Sequence, residues 1–177
     1  MDKNETESGG ASMKEFIIRQ KLMRLNGQFT VKDLEGSDVY EVEGSFLRIP
    51  KTYTIQDMAG HEISVITKKP FSFLPVFTVE TEGRETVTIR KEFTFFKPRY
   101  TIDAAGIEVL GTWWEMNFDV LKDGKVAGTV DKKWFDWGDT YSVQVFDESM
   151  ETFIIALVVA IDCVKADQSA ASSAAAF

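Results

Sequence analysis

The segment Glu151–Lys165 reads ETFIIALVVAIDCVK, and it differs from the rest of the chain because every residue from Phe153 to Ile161 is apolar. Three interpretations of such a run are a membrane-spanning helix, a buried strand and a helix enclosed by other elements. Crossing a bilayer takes about 20 apolar residues, so the run is too short for the first interpretation. We therefore expect an element of the protein's interior.

The flanks of this segment favour a helix over a strand, although its β-branched residues leave a strand open. Ser149 or Asp147 can cap the N-terminus, and Lys165 falls in the last turn. A helix that is apolar on all sides must be surrounded on all sides. Among all-β scaffolds, a closed barrel of about eleven strands is wide enough to hold a helix along its axis.

The chain between the N-terminal tail and this helix alternates apolar and polar residues with a period of two, which predicts antiparallel strands with one buried face. In FSFLPVFTV, at 71–79, the side chains of Phe71, Phe73, Phe77 and Val79 fall on one face. Turn sequences such as LEGSD at 34–38 and KDGK at 122–125 separate many short segments. The sequence thus predicts a mainly β protein: a closed antiparallel barrel that encloses a central hydrophobic C-terminal α-helix.

A weak internal repeat relates the two halves of the chain. It is defined by matching offsets from Gly60 and from Gly124. The residues 6, 8, 9 and 11 positions after Gly60 are Ile66, Lys68, Lys69 and Phe71. The residues at the same distances after Gly124 are Val130, Lys132, Lys133 and Phe135. Two meander halves of similar design would explain the match, and coincidence is the alternative. If the repeat holds, the two lysine pairs occupy equivalent strands.

Composition limits the classes of function. The 177 residues suit one domain, with disordered tails predicted at 1–13 and, from its Ser/Ala composition, at 167–177. A net charge of −8 argues against nucleic-acid binding and against simple adhesion to an anionic membrane, unless a local basic patch overrides the average. A single cysteine forms no internal disulfide, and the N-terminus lacks the features of a signal peptide. We expect a cytoplasmic protein without a transmembrane segment.

No catalytic or metal-binding motif stands out in the sequence, so we predict no enzyme activity, no cofactor and no metal site. His61 is the only histidine and is expected to be exposed in a turn without catalytic partners. Cys163 is expected to be an inert part of the core. Asp162 is expected to make a structural bond to backbone or to a lysine at the barrel end. An enzyme that uses the remaining carboxylates stays an alternative.

The sequence resembles the LURP-one-related (LOR, YxjI-like) family. The resemblance is carried by GKVAGTVDKKWFDWGDTYSVQV at 124–145 and FIIALVVAID at 153–162, and by FTVKDLEGSDVYEVEGS at 29–45 with DMAGHEISVITKK at 57–69. It covers residues 14–166, which would form one barrel domain of the kind that tubby proteins and phospholipid scramblases share. It implies about twelve strands around the helix. The aromatic cluster of Trp113, Trp114, Trp134 and Trp137 has no family role that we can assign.

Basic residues are the candidate binding site, since the resemblance to tubby domains implies recognition of anionic lipid head groups, such as those of phosphoinositides. The candidates are Lys68, Lys69, Arg90, Lys97, Arg99, Lys132 and Lys133. The alternative is that these residues are solvated charges paired with Asp and Glu. We expect a non-enzymatic binding module that acts in the cytoplasm or at the periphery of a membrane. Its partner would be a lipid head group or another protein, and the alternative is a structural or protein-interaction domain without lipid binding.

Overall fold

The computed structural model describes residues 13–19, 28–45, 49–92, 99–104, 106–135 and 138–174. They form twelve β-strands and one long α-helix, α1 (Glu151–Ala174). The strands are β1 (Lys14–Arg19), β2 (Gln28–Asp33), β3 (Asp38–Gly44), β4 (Thr52–Asp57), β5 (Glu62–Lys68), β6 (Val76–Thr81), β7 (Val87–Glu92), β8 (Arg99–Asp103), β9 (Ile107–Thr112), β10 (Asn117–Lys122), β11 (Lys125–Phe135) and β12 (Gly138–Val145). The described residues also form two single-turn 3₁₀ helices, Trp113–Glu115 and Glu148–Met150.

All twelve strands belong to one antiparallel sheet that curls into a nearly closed barrel. Its order is β8-β7-β6-β5-β4-β3-β2-β1-β12-β11-β10-β9, so every neighbour is also a sequence neighbour apart from the pair β1 and β12. Within the described residues β8 and β9 are the two edges, and a cavity of about 330 Å³ lined by Ile102, Ile107 and Trp113 lies at this seam. The predicted fold class is confirmed.

The up-and-down order gives the barrel two different ends. The turn end holds the turns after β2, β4, β6 and β10, at 34–37, 58–61, 82–86 and 123–124. The loop end holds the connections after β3, β5 and β9, at 45–51, 69–75 and 113–116. Because β12 finishes at the turn end, α1 begins there and runs back through the barrel towards the loop end.

Helix α1 fills the barrel as the opening segment predicts. Every residue from Phe153 to Ile161 is at most 2% exposed. The 3₁₀ turn before it is capped by Asp147, whose carboxylate accepts the backbone N–H of Ser149 at 3.0 Å. Gly128 of β11 allows the helix to approach the barrel wall closely, because it has no side chain. A Cβ at this position would lie 2.6 Å from Ile154 Cδ1 and 2.7 Å from the carbonyl oxygen of Gln144. Burial of the segment is thus achieved on all sides by strand side chains.

Two details differ from the sequence-based expectations. Residues 167–174, expected in a disordered tail, continue α1, which suits an alanine-rich segment because alanine has the highest helix propensity. Phe71 and Phe73 were expected on the buried face of a strand. In the structure β6 begins only at Val76, so Phe77 and Val79 are buried whereas Phe71 and Phe73 lie in the preceding loop. Pro70 and Pro75 bracket that loop and interrupt the ladder.

The same alternation in TVTIRKEFTFF at 86–96 and YSVQV at 141–145 predicts one buried face in each segment, and the structure agrees where it describes them. Val87, Ile89, Tyr141, Val143 and Val145 are all buried. Phe93 and Phe95 lie outside the described residues, as do Trp137 and the tail before Met13. Apart from the helical extension at 167–174, the division into a domain at 14–166 and two tails stays a prediction. No helix among the described residues has the length and apolar content to cross a membrane.

Candidate functional site

A pocket at the loop end lies between the β3–β4 connection and the β5–β6 loop. Its volume is about 520 Å³, within the range of roughly 300–1,000 Å³ typical of ligand pockets. We call it the basic pocket, because three of its lining residues are lysines. The lining residues are Ile49, Pro50, Lys51, Lys68, Lys69, Pro70, Phe71, Ser72, Phe73 and Pro75.

Backbone hydrogen bonds fix the two segments that form the pocket. The N–H of Lys68 donates to the carbonyl of Lys51 at 2.9 Å and joins the segments directly. The N–H of Lys69 donates to Val76 O at 2.8 Å and closes the loop at 69–75, which we call the aromatic loop. The hydroxyl of Ser72 donates to Lys69 O at 3.2 Å, so the loop also has an internal bond. The lysines are therefore held at strand ends of a stable sheet.

The aromatic loop exposes apolar side chains that a fold would ordinarily bury. Phe71 is 99% exposed, Phe73 is 94% exposed and Ile49 on the facing connection is 81% exposed. Phe71 also has a φ of 56°, in the left-handed region that glycine adopts without strain and a bulky residue rarely adopts. These residues contribute little to the core, so their presence requires another explanation.

Positive charge dominates the surroundings of the pocket. Lys51 and Lys68 are half-buried and Lys69 is exposed. The Lys51 ammonium lies 5.2 Å from the centre of the Tyr53 ring, a cation–π contact that fixes its direction. The sequence contains no Asp or Glu between Ile63 and Val79. An anionic group would therefore meet ammonium groups without a competing carboxylate from this loop.

The structure separates the predicted basic residues into two groups. Lys68 and Lys69 line the pocket, and Arg90 on β7 is paired with Val76, where the aromatic loop ends. Lys132 and Lys133 lie on β11, which is six strands from β5 in the sheet order and hence on the opposite wall. For Arg99 the structure describes only its backbone in β8, and Lys97 lies outside the described residues.

Lys132 and Lys133 are equivalent to Lys68 and Lys69 in the internal repeat, as β5 and β11 each follow a turn built on a positive-φ glycine, Gly60 or Gly124. A twelve-stranded barrel with strands about 4.8 Å apart and tilted by about 40° is roughly 25 Å across. One head group cannot span that distance. The two lysine pairs nonetheless lie towards the same end of the barrel, since each is paired with the strand segment next to the loop end.

The turn end has the opposite charge. Exposed carboxylates in its turns and 3₁₀ helix are Glu35, Glu82, Glu85, Asp123 and Glu148. Three lysines there are held in ion pairs: Lys14 with Glu148 at 2.6 Å, Lys122 with Asp147 at 3.2 Å, and Lys32 with Asp38. The loop end also has carboxylates, Glu43 and Glu115, but its exposed side chains include Arg19, Lys69, Arg90 and Lys133. Among the side chains that the structure describes, exposed carboxylates therefore predominate at the turn end and exposed cations at the loop end.

These pairs shift pKa values at the turn end. The hydrogen bond from Ser149, with a further contribution from Lys122, holds the pKa of Asp147 below its usual value. Hydrogen bonds to Glu148 and then to Glu151 raise the pKa of Lys14. The bond from Lys32 lowers the pKa of Asp38. Each shift favours the charged form of a group that is paired within the chain. These charges therefore stabilise the fold and are not candidates for binding a ligand.

Two carboxylates of α1 are buried, and each bonds to a tyrosine of the wall. The hydroxyl of Tyr40 and the ammonium of Lys14, at 2.8 Å, donate to Glu151. Burial, followed by the adjacent Glu151, raises the pKa of Tyr40. Deeper in the barrel, the Tyr141 hydroxyl donates to Asp162 Oδ1 at 2.9 Å. A structural bond for Asp162 was expected, and Tyr141 is a partner that the sequence did not indicate.

The remaining singled-out residues occupy ordinary positions. His61 is exposed in the β4–β5 turn, with Asp57 at 4.0 Å and Glu82 at 3.7 Å, and Cys163 is buried in α1. Over the part of the chain that the structure describes, no group of three His, Cys, Asp or Glu side chains is placed to hold a metal ion. The predictions for His61 and Cys163 are thus confirmed as placements.

Sequence reasoning missed Phe71 and Phe73 as surface residues. Alternation places them in phase with the buried Phe77 and Val79, and the pattern does not mark where the strand begins. The available signal was the pair Pro70 and Pro75, since proline inside a strand pattern indicates a strand end or a loop. The site therefore combines lysines that the sequence identifies by their charge with phenylalanines that only the structure identifies, by their exposure to solvent.

Comparisons with known proteins agree with this architecture. A solved structure of an Arabidopsis thaliana protein, AT5G01750, superposes with a TM-score of 0.60 at 18% identity, and the match covers 88% of this chain and 93% of that one. The uncharacterized protein YxjI of Bacillus subtilis (strain 168) is 28% identical over 152 residues, which is 86% of this chain and 94% of YxjI. The pattern that defines LURP-one-related proteins matches residues 14–162. The chain therefore belongs to the LURP-one-related family.

Proposed function

We propose that this protein is a non-enzymatic binding module whose ligand is the anionic head group of a phospholipid, held in the basic pocket. The observation that carries the proposal is the convergence of Lys51, Lys68 and Lys69 on one pocket at the positive end of a negatively charged barrel. Ammonium groups form charge-assisted hydrogen bonds with phosphate oxygens, which are shorter and stronger than neutral ones.

The interior of the barrel supports a role in binding rather than in bond making. Helix α1 occupies the space that a larger barrel would leave for a ligand. The buried carboxylates Glu151 and Asp162 are engaged by Tyr40, Lys14 and Tyr141, and these bonds link the helix to the wall. The functional groups available to other molecules are therefore those on the surface of the barrel.

Titration with soluble head groups tests the proposal without a membrane. We expect inositol trisphosphate or glycerophosphoserine to bind the wild-type chain, observed by calorimetry at low salt. Replacing both pocket lysines, Lys68→Ala and Lys69→Ala, should weaken binding at least about tenfold, because hydrogen bonds to charged groups contribute about 1.5–3 kcal/mol each. Raising the salt concentration should weaken wild-type binding as well.

The internal repeat supplies a matched control. The pair Lys132→Ala and Lys133→Ala removes the same two charges from the equivalent strand of the opposite wall. This variant should bind soluble head groups as the wild type does. If both double variants lose binding equally, the pocket is not the site. If no head group binds even at low salt, the lipid function is wrong and a protein-interaction role takes its place.

A further inference from the structure

We infer that Phe71 and Phe73 insert into the interfacial layer of an anionic bilayer, so that the barrel docks on a membrane with its loop end facing the lipid. The inference rests on the proposed head-group function and extends it. Head-group binding alone requires only the lysines of the basic pocket. Insertion adds an apolar contact and a fixed orientation of the barrel, neither of which a soluble phosphate can provide.

The exposure of the two phenylalanines is the first argument. Both rings protrude from the aromatic loop with more than nine tenths of their surface in solvent. Phe71 in addition holds a left-handed φ of 56°, which disfavours a bulky residue. An exposed and strained aromatic residue adds little to folding stability, and such outliers concentrate at binding sites. Phe71 is therefore better explained by a contact outside the chain.

The charge around the aromatic loop identifies that contact. Lys68 precedes the loop and Lys69 is its first residue, Lys51 faces it, and Arg90 and Lys91 lie on the strand beside it. The N–H of Lys91 donates to Pro75 O at 3.0 Å, so that strand is joined to the loop itself. Apolar side chains surrounded by cations match the acyl–head-group boundary of an anionic bilayer, where rings enter lipid and ammonium groups remain among phosphates.

The breadth of the positive surface favours a membrane over a single small anion or a narrow protein groove. Lys132 and Lys133 lie towards the same end as the pocket but on the opposite wall, roughly 25 Å away. A flat anionic surface can meet both lysine pairs at once. The exposed carboxylates at the turn end, such as Glu35, Glu82 and Asp123, would be repelled by the same surface. The charge distribution, together with the almost complete exposure of Phe71 and Phe73, therefore favours docking through the loop end.

Each contribution has an expected size. Moving one phenylalanine side chain from water into an apolar environment strengthens binding roughly 10- to 100-fold. A lysine near an anionic membrane surface contributes roughly fivefold. The two rings should consequently account for more of the membrane affinity than any lysine pair. The ring contribution should also persist at a salt concentration that suppresses the lysine contribution.

Vesicle flotation with matched variants tests the apolar contact. The probe is phosphatidylcholine vesicles with or without phosphatidylserine, and the variants are Phe71→Ser with Phe73→Ser and, as control, Leu34→Ser with Met58→Ser. Leu34 and Met58 are also exposed apolar residues in turns, but they lie at the turn end. We expect the first pair to lower the affinity for anionic vesicles on the order of 100-fold or more, and the control pair to leave it unchanged. Equal losses in both pairs would overturn the inference.

A depth measurement tests the orientation directly. A polarity-sensitive fluorophore attached at Phe73→Cys should shift to the blue on vesicle binding and be quenched by lipid-borne quenchers, whereas the same label at Leu34→Cys should not respond. The native thiol of Cys163 is buried, so wild-type protein treated with the label supplies the background. An unquenched label at position 73 on bound vesicles would refute insertion. A self-associating wild type that becomes monomeric in the Phe71→Ser/Phe73→Ser variant would assign the loop to a second copy instead.

Failure of the inference differs from failure of the proposed function. If insertion is wrong and head-group binding is right, soluble head groups still bind, and the Phe71→Ser/Phe73→Ser variant floats with vesicles as well as wild type does. If head-group binding is wrong, neither soluble head groups nor anionic vesicles bind through Lys68 and Lys69. The expected result is the remaining combination: wild-type protein binds soluble head groups through Lys68 and Lys69, and the phenylalanine variant loses far more affinity for anionic vesicles than for soluble head groups.

Discussion

The two ends of the barrel differ in how their surface residues relate to the fold. At the turn end, the turns are short, and lysines pair with carboxylates around the start of α1. At the loop end, lysines line a pocket and two phenylalanines stand in solvent. Ion pairs and caps at the first end stabilise the chain itself. Exposed apolar groups at the second end contribute little to the core, since Phe71 and Phe73 lie almost fully in solvent, and this difference is our reason for proposing the binding site there.

Helix α1 runs from the turn end towards the loop end, and it connects the two ends through the barrel only if it is enclosed. Leu157 lies near the middle of the apolar run and is 1% exposed. Leu157→Asp would bury an unpaired charge and should destabilise the protein by more than about 4 kcal/mol, which unfolds most domains. Thermal unfolding checks this, with Leu157→Met as a control that should cost less than about 1.5 kcal/mol. Native stability in the aspartate variant would show that the helix is not enclosed.

Close packing of the helix against the wall gives the next largest effect. A Cβ at Gly128 meets Ile154 Cδ1 and the Gln144 carbonyl below 3.0 Å. Gly128→Ala should therefore cost about 2–3 kcal/mol, measured by chemical denaturation. Ile154→Val removes the nearest methyl group and should recover part of that loss in the double variant, although it costs about 0.5–1.5 kcal/mol alone. Strict additivity of the two changes would argue against the contact.

The two tyrosine–carboxylate bonds compare the ends directly. Tyr141→Phe leaves the carboxylate of Asp162, which is 1% exposed, without its hydroxyl donor. Tyr40→Phe leaves Glu151 with the ammonium of Lys14. Loss of a donor to a buried group costs about 1–3 kcal/mol, and the loss should be larger for Tyr141→Phe because Asp162 is more deeply buried than Glu151, at 1% against 9% exposed. Denaturation midpoints would reveal the order, and a larger loss for Tyr40→Phe would reverse the assignment.

Acid should weaken the turn end first. Because the folded-state pKa of Asp147 is lowered, its contribution is present above the unfolded pKa and is lost as pH falls through the folded value, below about pH 4. Asp147→Asn keeps the capping oxygen and removes the charge, so stability should fall less steeply between about pH 5 and pH 2. The side chain is 37% exposed, which limits the effect to less than about 1 kcal/mol. Glu35→Gln, in an exposed turn at the same end, is the control.

The smallest expected effect on stability belongs to the residue with the largest expected effect on binding. Phe71→Gly relieves the left-handed backbone but adds freedom to the unfolded chain, and these terms are each about 1 kcal/mol with opposite sign. The melting temperature should therefore change little. A loss above about 2 kcal/mol would show that Phe71 supports the fold and would weaken the comparison between the ends.

Much of the fold follows from local sequence, and the site follows only in part. The run Phe153–Ile161 predicts an enclosed helix because no amphipathic face is available for partial burial. The lysine pairs are visible as residues, and the repeat predicts equivalent strands for them. Whether equivalent strands lie side by side or on opposite walls depends on sheet order, which a single sequence does not encode locally. Exposure of Phe71 was missed because alternation continues through Pro75 although the strand does not, and Pro70 and Pro75 were the local signal for a loop.

The seam between β8 and β9 bears on how such a protein is assembled. Helix α1 follows all twelve strands in sequence, and a wall already closed by hydrogen bonds would have to admit the helix through one end. Within the described residues the sheet instead ends in two free edges at the seam. The sheet can therefore curl around the helix after the helix has formed. The seam between β8 and β9 is then covered by side chains such as Ile107 and Trp113. Synthesis order and architecture are then compatible without any opening of a completed ring.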